Sequence, residues 1–131
     1  MTLDFLRDDL NLFIENTIKP KYETFDSAHN VEHFEFVTTN CVNYAQSLID
    51  KGEKIDLEIA YTVGALHDIG IENGREGHTQ SSGDFVRNCA DLHKFFNTET
   101  IELIAQAVED HSSHLEYEPR NIYGKIVADA D

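Results

Sequence analysis

The chain has 131 residues, a length that suits one domain with a modest core. Its 40% hydrophobic and 10% aromatic content is that of a folded protein, and 2 Pro and 7 Gly exclude collagen-like or low-complexity architectures. Twenty-five acids against ten Lys and Arg give a net charge of -15, which repels phosphate backbones and anionic lipid, so nucleic acid and membrane surfaces are not expected partners.

No run alternates apolar and polar residues with period two. Apolar residues recur at three and four instead, so the expected fold is all-α, a single-domain bundle of about six helices over residues 1–131. The first helix opens near Thr2, carries Leu3, Leu6, Leu10, Phe13 and Ile14 on one face, and is expected to stop before Pro20. The second runs from about Val31 to Asp50, before Gly52, with the stripe His33, Val37, Cys41, Tyr44, Ala45 and Leu48. The third opens at Asp56, a capping residue, and places Ile59, Val63 and His67 four apart, with Gly70 where a C-terminal cap belongs. A polar loop, Glu72 to Gly77, leads to a short fourth helix after His78 with Phe85, Val86 and Cys89 inward. The fifth begins near Thr98 and shows Ile101, Ile104, Ala105, Val108 and His111. The last starts near Asn121, beyond Pro119, with Ile122, Ile126 and Ala130 together.

Cys41 and Cys89 are too few for a disulfide scaffold or a cysteine zinc site, and are expected to be small core residues. Asp4, Arg7, Asp8 and Asp9 exclude a secretory segment at the start, and the uncharged stretch from Ile59 to Leu66 is too short to span a bilayer. The expected location is cytoplasmic.

Seven histidines are the outlier, and three of them continue apolar stripes: His33 before Val37, His67 after Val63 and His111 after Val108. A buried imidazole needs a hydrogen-bond partner or a metal, because an unsatisfied buried polar group costs about 1–3 kcal/mol. Satisfied core histidines and a shared cation are both consistent with this pattern. His67 and Asp68 at the end of one helix can converge on a single ion. The mixed nitrogen and oxygen set suits Mn, Fe, Ni, Co or Zn, whereas Mg prefers oxygen-dominated sites.

The order His33, then His67-Asp68-Ile69-Gly70, then a late aspartate resembles the HD-domain (HDIG) metal-dependent phosphohydrolases, closest to their small single-domain members. Ala28-His29-Asn30, Glu109-Asp110-His111 and Ala128-Asp129-Ala130-Asp131 agree with it, from about Ser27 to the end. The resemblance implies His33, His67, Asp68 and Asp131 as ligands of a divalent metal ion. Helical phase counted from Ile122 favours Asp129 instead, so Asp129 stays a candidate. Family members continue with more helix beyond this point, so the resemblance implies either a chain shortened at its C-terminus or a looser site than usual. His78 and His111 resemble the extra histidines that in some members hold a second metal or contact phosphate.

The resemblance implies hydrolysis of a small phosphate ester or nucleotide by a metal-activated water. Asp68 orients the water, and His111 or His78 donates a proton to the leaving oxygen. Arg75, Arg120 and, more remotely, Lys125 are candidate phosphate contacts in a chain poor in cations, with ion pairs to neighbouring glutamates as the alternative; His29 is placed at the entrance or as a helix cap. His93 and His114 are expected at the surface. The same residues also allow a di-iron oxygenase or a non-catalytic, metal-dependent nucleotide sensor. The expected assembly is a monomer or homodimer.

Overall fold

Leu6, Leu10, Ile14, Ile18 and Tyr22 are all buried, and their constant spacing of four shapes the first rod. An α-helix repeats every 3.6 residues, so a spacing of four drifts about 40° at each step. The rod absorbs the drift by underwinding: α1 (Asp8–Phe13) passes through a π-helical turn (Ile14–Ile18) into α2 (Lys19–Tyr22). In that turn the Lys19 N–H donates to the Ile14 carbonyl, five residues back. The wider turn also accommodates Pro20, whose ring clashes with the carbonyl four back in a regular helix. The rod therefore runs on to Tyr22 instead of stopping before Pro20.

The computed structural model describes residues 3–112 and 117–131, and each regular element among them is helical; Thr2 and His114 lie outside this range. The rods are α3 (Val31–Asp50), α4 (Leu57–Leu66), α5 (His78–Asn88), α7 (Thr98–Glu109) and α8 (Ile122–Ala130). Between them fall a 3-10 turn (Ile69–Asn73) and the one-turn α6 (Leu92–Phe95), too short to leave a periodic signal. Four of these rods open on a residue whose side chain accepts from the first turn: Asn30 from the His33 N–H, Asp56 from those of Glu58 and Ile59, Asn97 from Thr100, and Asn121 from Gly124, whereas α5 opens on Gly77.

Helix α4 is the central element. Residues 60 to 66 are buried on all sides, against α3, α7 and α8. Helix α3 turns Phe34, Val37, Thr38, Cys41, Val42 and Ala45 inward, which leaves Tyr44 at the edge of that face, 43% exposed and outside the core. Cys41 is buried and Cys89 half-buried.

Gly70 does not cap α4 in a left-handed conformation. It lies inside the 3-10 turn, where a Cβ would overlap the His78 carbonyl and the Ser82 N–H. The glycine is needed for close approach: it lets α5 pack its first turn onto the 3-10 turn that follows α4, with Ser82 Oγ accepting from the Gly70 N–H at 2.8 Å. His78 is thereby brought to Asp68. No helix among the described residues is long and apolar enough to cross a membrane.

Candidate metal centre

His67 follows the last turn of α4, fully buried, and its Nδ1 lies 2.7 Å from the Gly64 carbonyl. A carbonyl only accepts, so Nδ1 carries the hydrogen and Nε2 presents a lone pair. The same device fixes His111 through the Val108 carbonyl (2.6 Å) and His78 through that of Arg75 (3.0 Å). Three helix ends thus aim three Nε2 lone pairs into one space.

His33, in the first turn of α3, enters from the opposite wall. Its Nε2 is 3.1 Å from His67 Nε2, 3.3 Å from Asp68 Oδ2 and 3.0 Å from Asp131 Oδ1. Asp68 Oδ2 is 2.9 Å from His67 Nε2, and Asp131 Oδ1 is 3.9 Å from it. The other Asp68 oxygen, Oδ1, faces His78 Nε2 at 3.3 Å and His111 Nε2 at 3.4 Å. Asp131 Oδ2 reaches to 3.8 Å from His111 Nε2. Two groups result, His33/His67/Asp68 and Asp68/His78/His111, each with donor atoms close enough to share one metal ion.

Acceptors here face acceptors. Asp68 is 2% exposed, and its Oδ2 is buried without a hydrogen-bond donor. Lone pairs converging this closely require a positive charge between them, either protons or a metal. The spacings suit a metal: ligand bonds of about 2.1 Å at right-angled to tetrahedral geometry put neighbouring donors roughly 3.0–3.4 Å apart. Without a cation, protons supply the charge. Hydrogen bonds to Asp131 and then Asp68 raise the His33 pKa to about 9, and Asp68 likewise raises that of His78. Burial pushes Asp68 and Asp131 upward, but the surrounding imidazoles outweigh it and hold both carboxyls below their ordinary range.

Asp131, not Asp129, reaches this cluster. The buried residues of α8 are Tyr123, Gly124, Ile126, Val127 and Ala130, so its inward face is centred well away from half-buried Ile122. At 100° per residue Asp131 falls about 70° from that centre and Asp129 about 130°. Asp129 lines an outer groove with Tyr44, Leu48 and Lys125. Asn40 Nδ2 donates to the Ala130 carbonyl at 3.2 Å and ties the end of α8 to α3.

His29 lies at the rim, its ring 6.0 Å from that of His33 and 6.2 Å from that of His78. Its Nδ1 is 2.8 Å from Asp26 Oδ1, while Asn30, not His29, caps α3. Arg75, 66% exposed, pairs with the same Asp26. Asp26 was not legible as a site residue beforehand; its position three before His29 was the available signal. His93 is exposed, as expected. Lys125 pairs with Glu118 at 3.5 Å.

Arg120 is engaged elsewhere. Its Nε and backbone N–H donate to Asp110 Oδ2, both at 2.9 Å, and its Nη2 to Glu109 Oε1 at 2.8 Å; Arg87 holds Glu109 from the other side. Asp110 is fully buried, so Arg120→Ala leaves its carboxylate with the residue-120 N–H and the Tyr117 hydroxyl but without its countercharge. That variant is expected to lose about 1–2 kcal/mol in urea unfolding, below the cost of breaking a fully buried pair because the guanidinium is part exposed. Unchanged stability would show the guanidinium to be available for substrate.

The HD domain family profile matches residues 30–131. A search of curated proteins finds no match. Among solved structures, a predicted HD superfamily hydrolase from an uncultured Thermotogales bacterium superposes with a TM-score of 0.73 at 22% identity, covering 89% of this chain and 63% of that one. The chain thus spans less than two thirds of that protein's length, and the likeness is one of fold. With the profile running from the cap of α3 to the end of α8, across all four histidines that meet Asp68 and Asp131, the chain belongs to the HD domain family.

Proposed function

We propose that this protein is a metal-dependent phosphohydrolase that acts on a small phosphate ester or nucleotide. One observation carries the reading: His33 Nε2 lies 3.0–3.3 Å from His67 Nε2, Asp68 Oδ2 and Asp131 Oδ1, and His67 Nε2 lies 2.9 Å from Asp68 Oδ2, so groups that each offer a lone pair meet around one point. His33, His67, Asp68 and Asp131 would hold a divalent cation, with Mn, Fe, Co, Ni or Zn better suited than Mg to mixed nitrogen and oxygen donors. Bound there, such an ion supplies Lewis acidity and brings water toward deprotonation at neutral pH.

The chain's own groups divide the remaining work. Asp68 keeps Oδ1 on the open side of the cluster, where it orients the attacking water. His78, 26% exposed and 3.3 Å from Asp68 Oδ1, carries the proton that the leaving oxygen takes. His111, buried beneath it, holds Asp68 in place. At the rim Asp26 fixes His29 and Arg75, the groups that meet the phosphate in an otherwise acidic chain.

A second reading rests on the 3.3 and 3.4 Å spacings of His78 and His111 to Asp68: this group holds a second cation, and His78 is then a ligand instead of a proton donor. Metal content separates the two, at one or two ions per chain. Chelation is expected to abolish turnover across a phosphatase and nucleotidase panel, and Mn²⁺, Co²⁺ or Ni²⁺ to restore it better than Ca²⁺. Full activity of the metal-free protein overturns the proposal.

A further inference from the structure

We infer that Tyr22 is a positioning residue for the His67–Asp68 dyad, an inference that rests on the metal-centre reading above. Tyr22 lies on α2, upstream of the residues that the family profile matches. Its hydroxyl donates to the Ala65 carbonyl at 2.7 Å and accepts from the Asp68 N–H at 3.2 Å. Those two groups flank the break between α4 and the 3-10 turn. A helix end leaves its last carbonyls without N–H partners, and here the site is too buried for water to supply them. One phenol satisfies both sides of the break and sets the angle at which the backbone carries His67 and Asp68 into the cluster.

The ring has little freedom to do otherwise. It is fully buried, with centroids 5.0 Å from Phe34, 5.1 Å from Phe25 and 6.4 Å from His67. The π-helical turn is what aims it. In a regular α-helix three steps of four residues would carry Tyr22 about 120° round the rod from Leu10, away from α4. The underwound turn keeps it in line, which gives the irregularity next to Pro20 a consequence at the dyad.

The test compares Tyr22→Phe, which keeps the ring, with Ile18→Val, which perturbs the same rod without touching the dyad. Cobalt(II) alone is the probe, with affinity from competition titration and coordination from the visible spectrum. Tyr22→Phe is expected to bind Co²⁺ about tenfold more weakly with an altered spectrum, while Ile18→Val matches the wild type in both. Wild-type affinity and spectrum in folded Tyr22→Phe overturn the inference. Amide hydrogen exchange in the metal-free wild type gives a readout independent of any variant's folding. A protected Asp68 N–H supports the contact, and one that exchanges like an exposed loop amide overturns it. Wild-type protein unable to bind Co²⁺ overturns the metal-centre reading instead, and Asp68 protection in that protein still reports on Tyr22.

Discussion

Asp68→Asn is expected to lower phosphatase turnover by about a thousandfold and to weaken divalent-metal binding severely, while the metal-free protein stays folded. The carboxylate is almost completely buried, and it turns one oxygen to His33 and His67 and the other to His78 and His111. Asparagine keeps the shape but loses the charge and replaces one acceptor by a donor. Its amide group would meet the imidazole lone pairs directly, the role a cation otherwise fills, so the variant's cluster is satisfied without metal. Removing one partner of a buried charged group costs about 3–5 kcal/mol, and each 1.4 kcal/mol lost from the transition state is about a factor of ten in rate. Calorimetric titration with Mn²⁺ and turnover of a generic phosphomonoester measure the two effects. Wild-type metal affinity in the variant would remove Asp68 from the proposed ligand set.

The second large effect is a pH dependence of stability that metal removes. In metal-free protein the raised His33 pKa stabilises the fold fully below about pH 6.5, and that contribution is lost as pH rises through about 9. The depressed Asp68 and Asp131 act in the other direction: their contribution is present above about pH 4 and is lost in acid. Metal-free protein is therefore expected to be most stable between about pH 4 and 6.5, and its Tm to fall by several degrees toward pH 9. Metal cancels the alkaline decline, because imidazole nitrogens bind it only when deprotonated and loading releases the His33 proton. The stabilisation due to metal should grow from pH 6.5 to 9 by up to about 1.4 kcal/mol per pH unit for one displaced proton. Thermal scans in chelator and in excess Mn²⁺ test this, and parallel curves would exclude a titrating His33 from the cation site.

Local rules carried much of the fold. The second helix lies where its capping Asn30 and the Gly52 boundary put it, and α4, α7 and α8 open beside the capping side chains of Asp56, Asn97 and Asn121. Elements failed to show in the pattern where a long-range contact decided the matter. Pro20 reads as a stop in any local rule, and only the need to keep Ile18 and Tyr22 against the core explains why the rod underwinds and continues. Gly70 reads as a left-handed cap, yet its small size serves the α5 backbone packed against it.

The centre divides the same way. Apolar stripes ending in His33, His67 and His111 marked imidazoles bound for the interior, and the order of the motifs pointed to Asp131 where the helical phase, counted from a half-buried residue, pointed to Asp129. Stripes and motifs lie along one chain segment each, so they are legible in one dimension. The partners of Arg120, the pairing of Asp26 with both His29 and Arg75, and the reach of Tyr22 across 46 residues to Asp68 are not. They depend on which faces of separate rods come to rest together. Sequence by itself determined an all-helical chain with buried imidazoles beside acids; tertiary packing decided which of those imidazoles and carboxylates share one space, because that depends on how the ends of separate rods come together.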